Sequence, residues 1–390
     1  LKLSNTNNYS GGYLYENPLD SNYVHDKYLE SFGPGFFTGG QEKNHEERTI
    51  NNINLKFDFN WQVNKNHSIK SGFNITNYSI DNAWHQIRNE YFGTADEATL
   101  YAPKIFGDST LYGDVYKVEP KEMAFYIQDK MEFDAMVINF GLRYDKFDPN
   151  TKLPSDRRNP ANQLSLPDTM MSSYPNAKPQ VQISPRFGLA YQLGNAAVLH
   201  FSYGHFFQMP SMYSLYQNNS FLIAPNDYST TMGNAELKAE KTVTYELGLW
   251  QELAPGTGLE VSLFYRDIYN LLSTRVISTY NQIEYGLYSN KDYGNARGLE
   301  VKLDAHSGPI SAWVNYTLQY TKGNADNPQQ TFSRSGASMD PVNRFIPMSW
   351  DQRHTLNATL AYNSGPFGGS FTGYYNSGSP YTFSPIEESR

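Results

Sequence analysis

The chain has 390 residues, a formal net charge of −8, 31 Tyr, 23 Phe and no cysteine, with a mean hydropathy of −0.61. The acidic balance speaks against a nucleic-acid partner, which calls for a basic face, and the absence of cysteine excludes disulfide scaffolds and thiolate metal sites. So many rings in so polar a chain fit neither a large dry core nor a disordered segment; they fit a wall with one apolar face, one wet face and aromatic belts.

In chain order, residues 1–48 read as a Tyr/Asn-rich loop region without a signal peptide, so the true N-terminus is expected upstream. Residues 49–378 then alternate between strands and loops. The first clear strand is Ile53-Asn54-Leu55-Lys56-Phe57-Asp58-Phe59-Asn60-Trp61-Gln62-Val63, apolar at every odd position and polar at every even one. On a helix this order would scatter apolar residues around the axis, whereas on a strand it puts them on one face. Met123–Met131 follows, with Asp129 on the apolar parity, which predicts a bulge or an interfacial position. Met136/Ile138/Phe140/Leu142/Tyr144, Phe187/Leu189/Tyr191, Leu199/Phe201/Tyr203 and Tyr245/Leu247/Leu249 continue the pattern. So do Leu259/Val261/Leu263/Tyr265, Leu299/Val301/Leu303, Ala312/Val314/Tyr316/Leu318/Tyr320 and Leu356/Ala358/Leu360/Tyr362, and a weaker strand covers 368–377.

The connections have a rhythm of their own. Short turns are predicted at Asn64-Lys65-Asn66, Asp134-Ala135, Gly194-Asn195, Pro255 to Gly258, His306-Ser307-Gly308 and Ser364-Gly365-Pro366. Between them lie long irregular stretches near 81–119, 148–181, 208–240, 270–296, 321–353 and from 379 onward. Such loops are unusual in a compact soluble domain. Short turns alternating with long loops are the pattern of an outer-membrane barrel, with short periplasmic turns and long external loops. The predicted fold is therefore all-β, an antiparallel transmembrane β-barrel contributing about twelve strands in six hairpins.

Several stretches resemble the TonB-dependent receptors of bacterial outer membranes, particularly the long Bacteroidetes-type forms. They are Ala124 to Lys130 (AFYIQDK), Phe140 to Asp145 (FGLRYD), Ser184 to Tyr191 (SPRFGLAY) and Tyr203 to Ser211 (YGHFFQMPS). Gly233 to Lys241 (GNAELKAEK), running into Tyr245 to Gly248, is similar to the family's N-P-x-L-K-P-E lead-in to a strand with both prolines replaced by Ala. Trp350 to Asn357 (WDQRHTLN) and Ser377 to Thr382 (SGSPYT) complete the set, which spreads over most of residues 49–385. The resemblance implies a barrel of about 22 strands with a plugged lumen, of which residues 1–390 would be a part without the plug, the TonB box or the last strands. It also implies import of a siderophore, cobalamin, glycan or peptide with TonB energy, and outer-membrane lipid and the TonB complex as partners.

No Walker loop and no G-x-S-x-G is present. Gly33 to Gly40 imitates a phosphate loop but follows no strand and opens no helix. The histidines are scattered, with His200 and His205 on opposite parities, so no metal site or other cofactor is expected. Inward-facing charges such as Lys56, Asp58, Arg143, Asp145, Arg186, Glu246 and Glu260 read as a solvated lumen wall. The long loops are the better place for function. Their candidate ligand-binding residues are Trp84, His85, Tyr213, Tyr216, Tyr228, Tyr285 and Tyr288, rings that would otherwise pack loop on loop or join the external aromatic girdle. Ligand uptake at these loops is the leading reading. A passive porin is the alternative, and an enzyme would need a His/Ser/Asp set that the sequence does not show.

Overall fold

A computed structural model describes residues 1–24, 43–97, 99–107, 110–162, 167–218, 221–223, 230–324, 327–329, 332 and 345–381. In chain order the strands begin with β1 (Lys2–Gly12), β2 (Asn44–Gln62), β3 (His67–Gln86), the two-residue β4 (Arg88–Asn89) and β5 (Pro103–Lys104), and β6 (Gly113–Val118). Next come β7 (Lys121–Phe133), β8 (Met136–Asp148), β9 (Gln180–Leu193), β10 (Ala197–Gln208), β11 (Thr231–Met232) and β12 (Glu240–Ala254). The last are β13 (Thr257–Ser278), β14 (Glu284–Ser307), β15 (Ile310–Gly323), β16 (Ile346–Pro347), β17 (His354–Ser364) and β18 (Phe367–Asn376). One short helix, α1 (Met212–Tyr216), lies between β10 and β11.

The main sheet follows the order β1-β2-β3-β7-β8-β9-β10-β12-β13-β14-β15-β17-β18, every neighbour antiparallel, so chain order is sheet order. This is the up-and-down meander of a barrel wall. All six predicted short turns fall at one rim. Four of them carry a glycine at positive φ, namely Gly194, Gly256, Gly308 and Gly365, the conformation that lets a tight hairpin match strand twist.

The two faces separate by parity. Leu189, Phe201, Leu247, Leu263, Leu299 and Leu318 stand side by side in one row across six strands. One residue along, the row on the other face reads Gly188, Ser202, Glu246, Phe264, Gly298 and Gln319. Toward the loop rim, Phe187, Tyr203, Tyr245, Tyr265 and Tyr320 form an aromatic belt interrupted by Arg297, with Tyr203 and Tyr245 ring centroids 5.1 Å apart. The polar face is tied by short cross-strand bonds, such as Asn54 to Asn74 and to Thr76, both 2.7 Å. The apolar face has no covering layer among the described residues: Phe125, Phe140 and Leu263 are each about half exposed. An uncovered apolar face of this extent is stable only against lipid or a partner, because water would drive it to associate.

Three expectations change. Lys2–Gly12 is a strand, not a loop, paired along its whole length with β2 from Lys2↔Lys56 to Gly12↔Glu46. Its Asn-rich sequence hides it, because the ladder uses backbone groups that carry no sequence signature. The path therefore has thirteen strands among the described residues, one more than the six hairpins supply. Residues 270–296 are largely β-ribbon, since β13 and β14 run on beyond the aromatic belt and turn only at Thr279–Ile283. Bulges at Asn270, with φ +61°, and around Lys291 interrupt the ladder there. Loop packing buries successive residues of the ribbon, 285–288 on β14 as well as Ser273 and Thr274 on β13, so both of its faces are covered and its sequence has no reason to alternate. Of the two positions expected for Asp129, the structure shows the one at the rim rather than a bulge: its ladders with β3 and β8 run without a shift, and it meets His67 Nδ1 at 2.8 Å beside the Asn64–Asn66 turn.

Candidate functional site

At the rim opposite the short turns the strands rise past the belt and the loops fold inward on them. There they build a hydrophobic core of their own, in which Ile80, Tyr116, Phe147, Leu215, Tyr216, Leu237 and Tyr288 pack together. A second small cluster joins Phe221, Met232, Tyr285 and Leu287. The loops are therefore packed on each other and on the inner face of the wall.

Beside this core lies a cavity of about 570 Å³. Its wall is a three-strand patch in which Glu46, Trp84 and Asp114 form one cross-strand row and Arg48, Asn82 and Tyr116 the next. Its lid is α1. Pro210 and Ser211 set the helix start, and the Ser211 hydroxyl accepts from the Ser214 N–H at 3.4 Å, the expected use of a serine N-cap. On one turn of helix, residues four apart share a face. Leu215 and Tyr216 go down into the core, while Tyr213 and Gln217 face the cavity together. Gly233 closes the back. A Cβ there would stand 2.7–2.8 Å from the Gln217 nitrogen and the Leu215 carbonyl, so only glycine lets the returning chain lie this close to the helix.

Electrostatics organise the cavity. Arg48 donates to Glu46 at 2.6 Å and to the buried Asn82 at 2.9 Å, and its guanidinium lies 5.9 Å from the centre of the Tyr213 ring. Asn82 donates in turn to the Asp114 carbonyl at 3.1 Å. The Asp114 carboxylate accepts the Asn218 backbone N–H, 3.1 Å from each oxygen. Burial holds that carboxyl above its usual range, opposed by the Asn218 bond and by Arg48. The cavity thus offers two ring faces, a carboxylate at the protein's expense in desolvation, an arginine fork and planar amides. That set suits a ligand with an apolar or π surface and several polar groups.

The predicted ligand residues separate accordingly. Trp84 and Tyr213 line the cavity. His85 follows Trp84 on the strand and so points to the opposite face, across from His45, where burial lowers its pKa. Tyr216 is buried and donates to the Pro149 carbonyl at 2.8 Å. Tyr285 is buried and donates to the Arg157 carbonyl at 2.8 Å. Tyr288 is buried and accepts from Gln329 at 3.1 Å. These three rings are committed to loop packing and are not free to face a ligand. Tyr228 lies outside the described residues. Arg48, Asn82, Asp114, Gln217 and Asn218 were not anticipated. The even parity of Arg48 and Asn82, continuous with Asn54 and Lys56, marks them as inward-facing, but nothing in the sequence announces that α1 folds over them.

A one-layer antiparallel wall with tight turns at one rim and a loop-roofed cavity at the other defines the wall of a β-barrel. The chain belongs to the TonB-dependent receptors, since the model of the family described as "TonB dependent receptor-like, beta-barrel" matches residues 1–387. That family is one of receptors and transporters, and its barrels are outer-membrane proteins. Among solved structures the chain is similar to the FrpB iron transporter from Neisseria meningitidis (F3-3 variant), with a TM-score of 0.50 at 15% identity over 83% of this chain and 41% of that one. It is similar to the copper transporter OprC, with a TM-score of 0.53 at 12% identity, 84% of this chain and 44% of that one being covered. A third is a double mutant of the Serratia marcescens hemophore receptor HasR in complex with its hemophore HasA and heme, with a TM-score of 0.53 at 14% identity over 86% of this chain and 52% of that one. At these identities the likeness shows the fold. The chain spans roughly two fifths to one half of the length of these structures. No curated protein sequence matches it.

Proposed function

We propose that the chain forms part of the barrel wall, of about 22 strands, of an outer-membrane receptor that captures a scarce ligand at its external loops and imports it with TonB energy. The observation that carries this reading is the cavity between β2, β3, β6 and α1, where Arg48, Trp84, Asp114 and Tyr213 converge on one roofed space at the loop rim. The bare apolar face supports lipid as the surrounding medium. The iron and copper transporters and the heme-loaded receptor among the similar structures favour a chelated metal as ligand class over a glycan or peptide. The packed loop core speaks against a passive porin, whose mouth has to stay open to solutes. The proposed role is transport without catalysis.

The test is ligand binding by the purified full-length protein, followed by thermal shift against a ferric siderophore, heme, cupric ion, cobalamin, an oligosaccharide and a peptide. One class should stabilise the wild type, and Trp84→Ala and Tyr213→Ala should each weaken that effect by roughly tenfold in affinity, the worth of one well-packed aromatic anchor. Stabilisation by no class, or by a class indifferent to both substitutions, would refute the assignment of this cavity.

A further inference from the structure

The strand segments that wall the roofed cavity carry a second cluster on their other side. His45 and His85 are direct partners in the β2–β3 ladder, which runs without a shift from Asn44↔Gln86 to Gln62↔Ser68. Their parity is therefore that of Ile53, Phe57 and Phe73, the outer face of the wall. With a rise of ~3.3 Å per residue and a tilt of roughly 45°, His45 stands about 37 Å from Trp61, beyond an apolar band about 25 Å tall. The pair faces outward above the lipid, away from the lumen.

A cap of rings covers His45. Tyr23, Val24 and Ile87 form a small buried cluster, with Tyr15 and Tyr101 packed against it. The Tyr13 ring stacks on His45 with centroids 4.8 Å apart, and Gly11 makes room for it, since a Cβ there would stand 2.6 Å from the ring. Only 3% of His45 is exposed. Hydrogen bonds fix the tautomer of each histidine. The single Tyr23 hydroxyl proton goes to the Tyr15 carbonyl at 3.1 Å, so His45 Nδ1, 3.3 Å from the same oxygen, is itself the donor and Nε2 carries the lone pair. The His85 ring bonds to the Phe106 backbone, and because its Nδ1 has no partner, the donor is Nε2 and the lone pair is on Nδ1. Both lone-pair nitrogens, His45 Nε2 and His85 Nδ1, are buried with no hydrogen-bond partner among the described residues.

A buried acceptor left unmatched costs stability, and two of them on one registered pair call for a common partner. Direct cross-strand neighbours have Cβ atoms ~5 Å apart. From there two imidazoles can bring their nitrogens to the ~4 Å spanned by a cation with bonds of ~2.0–2.1 Å. Each ring has its other nitrogen anchored by an oxygen, the arrangement that orients a metal-bound histidine. Glu47, two residues from His45 on the same face, adds negative charge that is felt at His85. We propose that His45 and His85 form a two-histidine site for a late first-row divalent cation, strongest for Cu2+, on the outer face of the loop rim. The cation clips β2 to β3 behind the roofed cavity, and the site is independent of what that cavity takes.

The test is Cu2+ binding by metal-depleted, tag-free full-length protein in detergent, followed by calorimetry and electron paramagnetic resonance, with every variant first checked for heat-modifiable migration on gels. Wild type should bind Cu2+ with hyperfine splitting from two imidazole nitrogens. His45→Gln and His85→Gln should each remove that signal and weaken binding roughly a hundredfold, the loss of a second point of attachment. Tyr23→Phe, which removes the oxygen that orients His45, should weaken it less. His67→Gln at the turn rim should leave the signal as it is, and so should Tyr213→Ala, which separates this site from any metal taken by the roofed cavity. The proposal is overturned by no Cu2+ binding to folded wild type, by a wild-type spectrum with fewer than two nitrogens, or by a signal that survives in either histidine variant. Loss of the signal in Tyr213→Ala rather than in the histidine variants would overturn it too. The wild-type measurements decide the matter even where a variant fails to fold.

Discussion

Substituting arginine on either side of one strand tests which face of the wall meets lipid. Val261 stands on the apolar face of β13 between Leu249 and Val301, and Ser262 follows it on the polar face between Gly248 and Glu300. Both lie at nearly the same depth. With a rise of ~3.3 Å per residue and a tilt of roughly 45°, the five residues from Gly256 place Val261 about 12 Å from the turn. The four residues to Tyr265 place it about 9 Å below the aromatic belt. It is therefore near the middle of an apolar band about 25 Å tall, where an arginine facing lipid costs about 2–4 kcal/mol. Ser262→Arg instead enters a wet lumen opposite Glu300 and two residues from Glu260, where opposite charges across a ladder contribute up to ~1 kcal/mol of stabilisation. Val261→Arg should accordingly be the less stable of the two by about 2–4 kcal/mol in reversible urea unfolding of full-length protein in lipid vesicles, followed by tryptophan fluorescence. Equal costs, or the reverse order, would show that the apolar face does not meet lipid or that the register is displaced by one residue, which exchanges the faces.

Three further outcomes follow from buried groups at the loop rim. Tyr216→Phe removes the hydroxyl that donates to Pro149 in a buried setting and should lower stability by about 1–2 kcal/mol, measured as a fall in melting temperature with an unchanged β-sheet circular-dichroism spectrum. Burial lowers the folded pKa of His85 below its usual value of about 6.5. The unfolded chain then binds the extra proton as pH falls below about 6.5, so stability drops over that window; His85→Gln should flatten this part of the pH profile, and an unchanged slope would disprove it. Asp114 is raised by burial, so its ionisation opposes folding as pH climbs from its unfolded value of about 3.8 through the higher folded one. Asp114→Asn should therefore be neutral or slightly stabilising at pH 7, as read by thermal melts, while weakening ligand binding at the roofed cavity.

How much was legible without coordinates depended on what each residue faces. In Ile53–Gln62, in Phe140–Asp145 and in Leu259–Tyr265 one side of the backbone meets an apolar medium and the other a wet lumen. A strand has period two, so that contrast is written directly into the sequence, and with it the fold class, the wall register and the six short turns. The resemblance to TonB-dependent receptors rested on Phe140–Asp145 and on other segments, several of them in loops, such as Gly233–Lys241 and Trp350–Asn357. Where both sides meet the same surroundings, loop core on both or water on both, the contrast vanishes. Residues 270–296 became ribbon unannounced, and Lys2–Gly12 is held by backbone hydrogen bonds that leave no pattern in its side chains.

The site depended on what only tertiary structure decides. Trp84 and His85 are neighbours in sequence and both were candidates, but alternation sends one into the cavity and the other to the opposite face. Tyr213 and Tyr216 occupy one helical turn, yet the helix lies on the wall with Tyr216 beneath it and Tyr213 toward the open space. Arg48, Asp114 and Asn218 come from three segments far apart in the chain, and no local propensity encodes their meeting. Period and polarity fix which face a residue takes along its own strand; which loops fold back over that face is settled by long-range packing around Ile80, Leu215 and Leu237, which the sequence of any one segment does not contain.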